Sequence, residues 1–520
     1  MIPILAGVNW QSVGREVVHQ QRNREQYTPV ISLYRWWARR PHALIGAILD
    51  AAVKVQGKKD LRVSDPFSGG GTVAFEAVRR GLPVYAQDLY PWPTIGLTVG
   101  LSMCPKDEFL VAASRLLEDL DPLRSSYRRL DGRELTHILR VRVGSCPRCN
   151  ESIHLFPFRM ISLVSRNGSE NQALFGCRSC GGIHIGIQNA TDWKCTTCGR
   201  RNNASEEIAG GFTCPHCSFS TRPRGFLSRE PEWSPVAVQE LKVVEGRARA
   251  VLRPVERGDP VDSPQASKVL PGMRKRIPDG IETHRLLESA FKAWGDLYTA
   301  RQADVLVSAL RRIKNLNVSE ACRDRLAMAI IGTAEIPAFL SRWDRFHLKA
   351  FEGLANHRYS DTTLVVEINP LSPVGRGTLP HRLASAKKAL DWALRELSPS
   401  LRVKQVSGLL GRIEASKDVI VATGNSTRQA LKNGTVDLVL TDPPYYDDVQ
   451  YGELARLFHF WFAKYRLLPK FEENEEAVPN RYRGKGADFY VESIAACFKE
   501  SRRTLAPTGR LILTFHNKMG

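Results

Sequence analysis

The sequence predicts an α/β fold, an open sheet delivered in two halves and split by a long insertion. Three observations carry this. A strand, a glycine turn and an amphipathic helix follow one another in LRVSDPFSGGGTVAFEAVRRG. Strand-like runs return far downstream in DVIVATGNS and TVDLVLTDPPYYDD. Between them lie four CxxC pairs and a helical stretch.

A Trp-rich, basic opening, SLYRWWARRPHALIGAILDAAV, passes through QGKKD into the first strand. The helix after the glycine turn closes at Gly81, and PVYAQDLYPW reads as a second strand ending in Asp88, a βαβ pattern. Residues 1–140 are therefore read as an N-terminal helical segment plus the first half of the sheet domain, and 141–220 as a cysteine-rich module. Residues 221–285, Pro- and charge-rich in RPVERGDPVDSPQ, read as a linker or extended arm. Over 286–410, LLESAFKAWGDLY, ADVLVSALRRI and SAKKALDWALREL repeat apolar residues every three to four positions, which predicts a mainly helical insertion. Residues 411–520 supply the second half of the sheet, with a long aromatic helix (YGELARLFHFWFAKYRLL) and a last strand in GRLILTFHNK. The chain stops directly after it, so the sheet is expected either to finish compactly there or to be a truncated product.

At 520 residues, with 43% hydrophobic and 25% charged residues, the chain is expected to fold into several compact units. A formal charge of +20 draws in a polyanion, with nucleic acid the natural candidate and ribosomal or membrane-surface binding open to the same charge. Apolar runs are strand-length and the N-terminus lacks a basic leader, so the expectation is a cytoplasmic protein with no membrane span. Eight of the eleven cysteines fall in CxxC pairs, a spacing that a reducing compartment uses for metal. Cys146, Cys149, Cys177, Cys180, Cys195, Cys198, Cys214 and Cys217 make two four-thiolate structural zinc sites of ribbon type. Taken consecutively, the first pair joins the second and the third joins the fourth, but spacing does not determine which pair meets which, and an interleaved arrangement stays open. His154, His184 and His216 read as surface or fold residues, while Arg148, Arg178, Arg200 and Arg201 are candidate phosphate contacts.

The turn DPFSGGGT has the strand-to-helix context in which glycines let a ligand approach the backbone, with helix-start amides facing it. Asp65, Phe67, Gly69, Gly71 and Thr72 are candidate cofactor contacts, and Asp88, ending the next strand, suits ribose hydroxyls. The spacing is not GxGxxG, which disfavours a nicotinamide dinucleotide. Asp442, Pro443, Pro444 and Tyr445 end the apolar run VDLVL, where open sheets place ligands. Consecutive prolines hold carbonyls rigidly outward. If Asp442 and the Pro443 carbonyl each accept an N–H, an exocyclic amine of a base is held with its lone pair toward a methyl donor. Tyr445, assisted by Tyr446, offers a face for an extruded base. Asn425, in VATGNS, is a candidate contact to a cofactor adenine or, in the plainer reading, a helix cap. Trp36, Trp37, Arg39 and Arg40 are candidates to close over cofactor or DNA, against the commoner fate of a buried Trp pair packed on the next helix.

DPFSGGGT followed by TDPPYYDD resembles the amino-group DNA methyltransferases. LYRWWARRPHAL, KAWGDLYTARQ, LSRWDRFHLKAF, VVEINP and GRLILTFHNK make the likeness closer to the prokaryotic adenine-specific DNA methylases that contain a zinc ribbon and begin with a domain of unknown function. The resemblance spans most of the chain. It implies a Rossmann-like domain that binds S-adenosylmethionine (SAM), transfer of a methyl group to the exocyclic amine of adenine in double-stranded DNA with the target base flipped, and an insertion that reads DNA. Partner subunits of a restriction or phage-defence system are a further candidate, while the sequence does not disclose the biological role. Asn425 departs from the pattern, where Asp is usual. Two alternatives accompany it: a cytosine or RNA exocyclic-amine methyltransferase, and a zinc-ribbon nucleic-acid-binding subunit whose methyltransferase domain is inactive.

Overall fold

The strands of the first half alternate side chains that are apolar on both faces, the composition of a sheet covered on each side. Val84, Ala86, Val419, Val421, Leu438 and Leu440 enter one core with helix residues Ala74, Phe75 and Val78. Their neighbours Tyr85, Ile420, Ala422 and Val439 enter a second. The computed structural model describes residues 3–22, 27–165, 171–203, 211–228, 230–244, 247–407, 418–446 and 449–515. Asp447, Asp448 and the His-Asn-Lys that ends the last expected strand lie outside them. The chain divides into two compact units: 1–113, 313–332 and 383–520 in one, 114–312 and 333–382 in the other.

The first unit is mixed α/β around a six-stranded parallel sheet. Across it the strands run Val403–Ser407, Val419–Thr423, Val84–Asp88, Val63–Asp65, Val436–Thr441 and Leu505–Leu513. Val63–Asp65 pairs with the strand that follows it in the chain, Val84–Asp88, on one side and with Val436–Thr441, from the far end of the chain, on the other. Chain direction thus diverges at this strand, the place where open parallel sheets leave a crevice at their C-terminal edge. The helix Thr72–Arg79 starts from the glycine turn, with Gly71 at φ 77° in the left-handed region that a side chain disfavours. The aromatic helix forms over Tyr451–Tyr465.

The second unit is built on a seven-stranded antiparallel sheet centred on Leu135–Ser145, flanked by Glu232–Val244 and Leu364–Ile368. Here the structure corrects the expected linker: Glu232–Val244 and Arg247–Pro254 pair through eight registered positions. Two of the charges that hid the strands, Glu240 and Arg253, are paired internally. Glu240 is buried between Arg133 and Arg253, 3.2 and 2.9 Å away, and Arg253 also meets Asp259 at 2.8 Å. The expected helix across LLESAFKAWGDLY also breaks. Thr283–Glu288 ends, Ala290 adopts φ 66°, and the Asp296 carboxylate accepts the Lys292 and Ala293 amides at 2.7 Å, which turns the chain into a short 3-10 helix. Beyond it, Ala300–Lys314 and Leu379–Glu396 are helical as the periodicity predicts, but three strands stand between them. Among the described residues no helix is long and apolar enough to cross a membrane.

At the middle of this sheet Glu367 is fully buried between two guanidiniums, Arg140 at 2.7 Å and Arg301 at 2.6 Å, and accepts hydroxyls from Tyr127 and Thr299. Burial alone would raise its pKa, but the two arginines outweigh it and hold the carboxyl at about 2. A depressed carboxylate stabilises the fold above the ordinary Glu range and loses that contribution as pH falls through the folded value. Glu367→Gln should therefore cost about 3–5 kcal/mol in urea unfolding at neutral pH, because it strands two buried cations. The deficit relative to wild type should shrink between about pH 4.3 and 2. A deficit that is flat with pH would refute the assignment.

Candidate functional site

The glycine turn and the Asp-Pro-Pro-Tyr turn open into one cleft of about 320 Å³ in the first unit. Of the predicted residues, Asp65, Phe67, Gly69, Thr72, Asp88, Asn425, Asp442 and Pro444 line it; Gly71, Pro443 and Tyr445 are not among its lining residues. The two strand ends are tied directly, since the Thr441 hydroxyl donates to Asp65 Oδ1 at 2.6 Å. The same oxygen accepts the Phe67 amide at 3.2 Å. Burial, aided by the nearby charges of Asp442 and Asp88, pushes the Asp65 carboxyl up to about 7.

Asp88 also ends its strand at the cleft, but its first task is local. Oδ2 accepts the Gly69 amide at 2.9 Å and Oδ1 the Tyr90 amide at 3.1 Å. The Gly71 amide donates to Ser68 O at 2.6 Å. Two of the three glycine amides are thus engaged inside the turn and do not face a ligand, a correction to the picture of an open amide cradle. Burial raises this carboxyl to about 6 despite the amides of Tyr90, Gly69 and Leu89.

The glycines are required by packing as well as by φ. A Cβ at Gly69 would meet Trp36, one at Gly70 would fall 2.5 Å from Arg39 Cγ, and one at Gly71 2.7 Å from Leu97. The structure bears out the plainer fate for Trp37, which is buried beside Phe458; Trp36 stacks on Tyr451 at 5.4 Å, and both rings line the cleft. Asn425 lines the cleft, yet its Oδ1 accepts the Thr427 amide at 2.9 Å and closes a turn where no helix follows.

Asp442 is more crowded than its motif implies. Oδ1 accepts hydroxyls from Tyr445 and Thr514, each at 2.8 Å, and Oδ2 is ion-paired with Arg40 Nε at 2.8 Å. Arg40 also donates to the Tyr445 hydroxyl. Tyr490 donates to the Pro444 carbonyl at 2.9 Å and meets Tyr446 edge-on. The motif reading missed Thr514 and the acids Glu475 and Glu476, which also line the cleft. Burial raises the pKa of Glu476. An acidic run, EENEE, in so basic a chain was the available signal.

In the second unit the eight CxxC cysteines form two four-cysteine clusters that could hold structural zinc ions, but the pairing is nested. Cys146 and Cys149 meet Cys217 and Cys214 at 3.6 and 3.7 Å; Cys177 and Cys180 meet Cys198 and Cys195 at 3.7 and 3.6 Å. This replaces the consecutive pairing. A tetrahedron with Zn–S near 2.3 Å has edges of about 3.8 Å, so the sulfurs fit the ion. Each knuckle is the same turn. The first cysteine's carbonyl accepts the amide of the residue after the pair, Asn150, Gly181, Gly199 or Ser218, and each of these has a left-handed φ of 59–76°. The inner pairing goes with one shared core, in which Phe175 and Trp193 pack with Cys177 and Cys195. His184 stacks on Trp193 at 5.3 Å and His154 on Phe156, as expected of fold residues. Arg178 is not a phosphate contact: it is buried, stacks on Phe212 and donates to Phe156 O.

No protein-family profile, curated protein or solved structure matches the chain. Elemental analysis of chain purified without chelator should give about two zinc ions, one per cluster. The double variant Cys177→Ser/Cys195→Ser should keep about one, since both changes fall in one nested set; consecutive pairing would lose both ions.

Proposed function

We propose that the chain is a SAM-dependent methyltransferase acting on the exocyclic amine of adenine in DNA, with a Rossmann-like sheet carrying the site. One observation carries the reading: two turns more than 370 positions apart, joined by the Asp65–Thr441 hydrogen bond, share a single cleft at the C-terminal edge of a parallel sheet. When bound, SAM supplies an electrophilic methyl group on a cationic sulfonium. The glycine turn, with Asp65, Phe67 and Asp88, would hold it. Asp442 lines the other wall; it and the carbonyl of Pro443, next in the chain, would orient the amine, and Tyr445, hydrogen-bonded to Asp442, would supply the stacking ring. The charge of +20 suits a polyanionic substrate. The acceptor pair recognises an amine before a ring, so cytosine or an RNA base would be held by the same atoms. The hold of Arg40 on Asp442 favours the second reading, a nucleic-acid-binding subunit without activity.

Tritium transfer from SAM to unmethylated duplex DNA and to RNA, with the labelled nucleoside identified, separates these readings. Asp442→Ala should lower transfer at least about 100-fold while SAM still binds; absence of transfer by the wild type to either polymer would leave only the binding subunit. The raised carboxyls set a second test. Asp65 and Asp88 ionise only as pH rises through about 7 and about 6, and a cationic ligand favours the ionised forms. Calorimetric affinity for SAM should therefore tighten several-fold from about pH 5.5 to about pH 8. Constant affinity would remove both acids from the cofactor's surroundings.

A further inference from the structure

Arg40 holds both groups that a target base needs. Its Nε sits 2.8 Å from Asp442 Oδ2, its terminal nitrogen donates to the Tyr445 hydroxyl, and its guanidinium carbon lies 5.5 Å from the centre of the Tyr445 ring. Phe515 meets that ring edge-on at 5.5 Å. Tyr445 and Thr514 already fill Oδ1, so an arriving amine must use the oxygen that Arg40 grips. The grip is anchored on the cofactor side, because the Arg40 carbonyl accepts the Thr72 hydroxyl at 3.2 Å at the start of the glycine-turn helix. The pair is partly open, with both side chains 21% exposed, so the guanidinium has a route out.

A guanidinium leaving a half-buried carboxylate needs another anion. A phosphodiester fits its planar fork, and it accompanies a base only in a polynucleotide. We propose that Arg40 is a specificity latch: it occludes Asp442 and Tyr445 until a backbone phosphate draws it away, so the site takes an amine on a nucleic-acid strand and rejects the same amine on a nucleoside. This rests on the methyltransferase reading above.

The test uses the full chain, SAM and two substrates at equal adenine concentration: duplex DNA of mixed sequence, and deoxyadenosine, which carries no phosphate. Wild type should methylate the DNA and leave deoxyadenosine nearly untouched. R40Q should raise kcat/KM on deoxyadenosine roughly tenfold, the scale of one partly desolvated charge pair, and should weaken the salt dependence of DNA methylation by about one phosphate contact. R40K, which keeps the charge without the fork, should fall between. An unchanged thermal unfolding midpoint in both variants certifies their fold. Deoxyadenosine transfer no faster in R40Q than in wild type would overturn the latch. If wild type methylates no DNA, the methyltransferase reading fails on its own, and the latch is then judged by calorimetry with deoxyadenosine: tighter binding to R40Q retains it as the guard of a base pocket, and equal or weaker binding discards it.

Discussion

Everything at the cleft depends on the parallel pairing of Val63–Asp65 with Val436–Thr441. These strands are short, and their ladder alone would hold little. Burial on both faces makes the register unambiguous, because a one-residue slip would exchange Leu438 and Leu440 for Val439 between two separate cores. Once the register is set, both strands end at the same edge, and the Thr441 hydroxyl reaches Asp65. Two turns that are remote in the chain become two walls of one crevice.

The same burial sets the electrostatics. Asp65 and Asp88 sit at strand ends with almost no exposure, and their carboxyls titrate near neutrality. Desolvated acids in a crevice recur at functional sites, although structural networks perturb carboxyls too. The N-terminal Trp-Trp-Ala-Arg-Arg segment supplies the opposite sign and closes the remaining space. Trp36 and Arg39 lie where side chains on Gly69 and Gly70 would be, and Arg40 balances Asp442. The glycines that look like a ligand cradle are also the seat of this segment, and one constraint explains both features.

Local patterns were legible where the physics is local. Strand–turn–helix at the glycines, the aromatic helix and the four knuckles all follow from side-chain period and from residues that tolerate positive φ. The two strands between 232 and 254 were not legible, because a buried ion-pair network reads in sequence like a solvated charge run. Arg178 misled for the same reason: beside a cysteine pair it resembles a surface cation, yet its guanidinium stacks on Phe212 and donates to a buried carbonyl.

By itself the sequence determined which residues are candidates: eight cysteines in knuckles, a glycine turn after a strand, and a rigid Asp-Pro-Pro-Tyr turn after another. These depend on backbone torsion and on neighbours a few positions away. Only the tertiary structure decided their partners. Nesting joined Cys149 to Cys214 across 65 positions, and sheet order brought Asp65 to Thr441. Folding of the N-terminal segment delivered Arg40 to Asp442. Partner choice over such distances comes from the summed burial of whole sheets, a quantity that no short stretch of sequence contains.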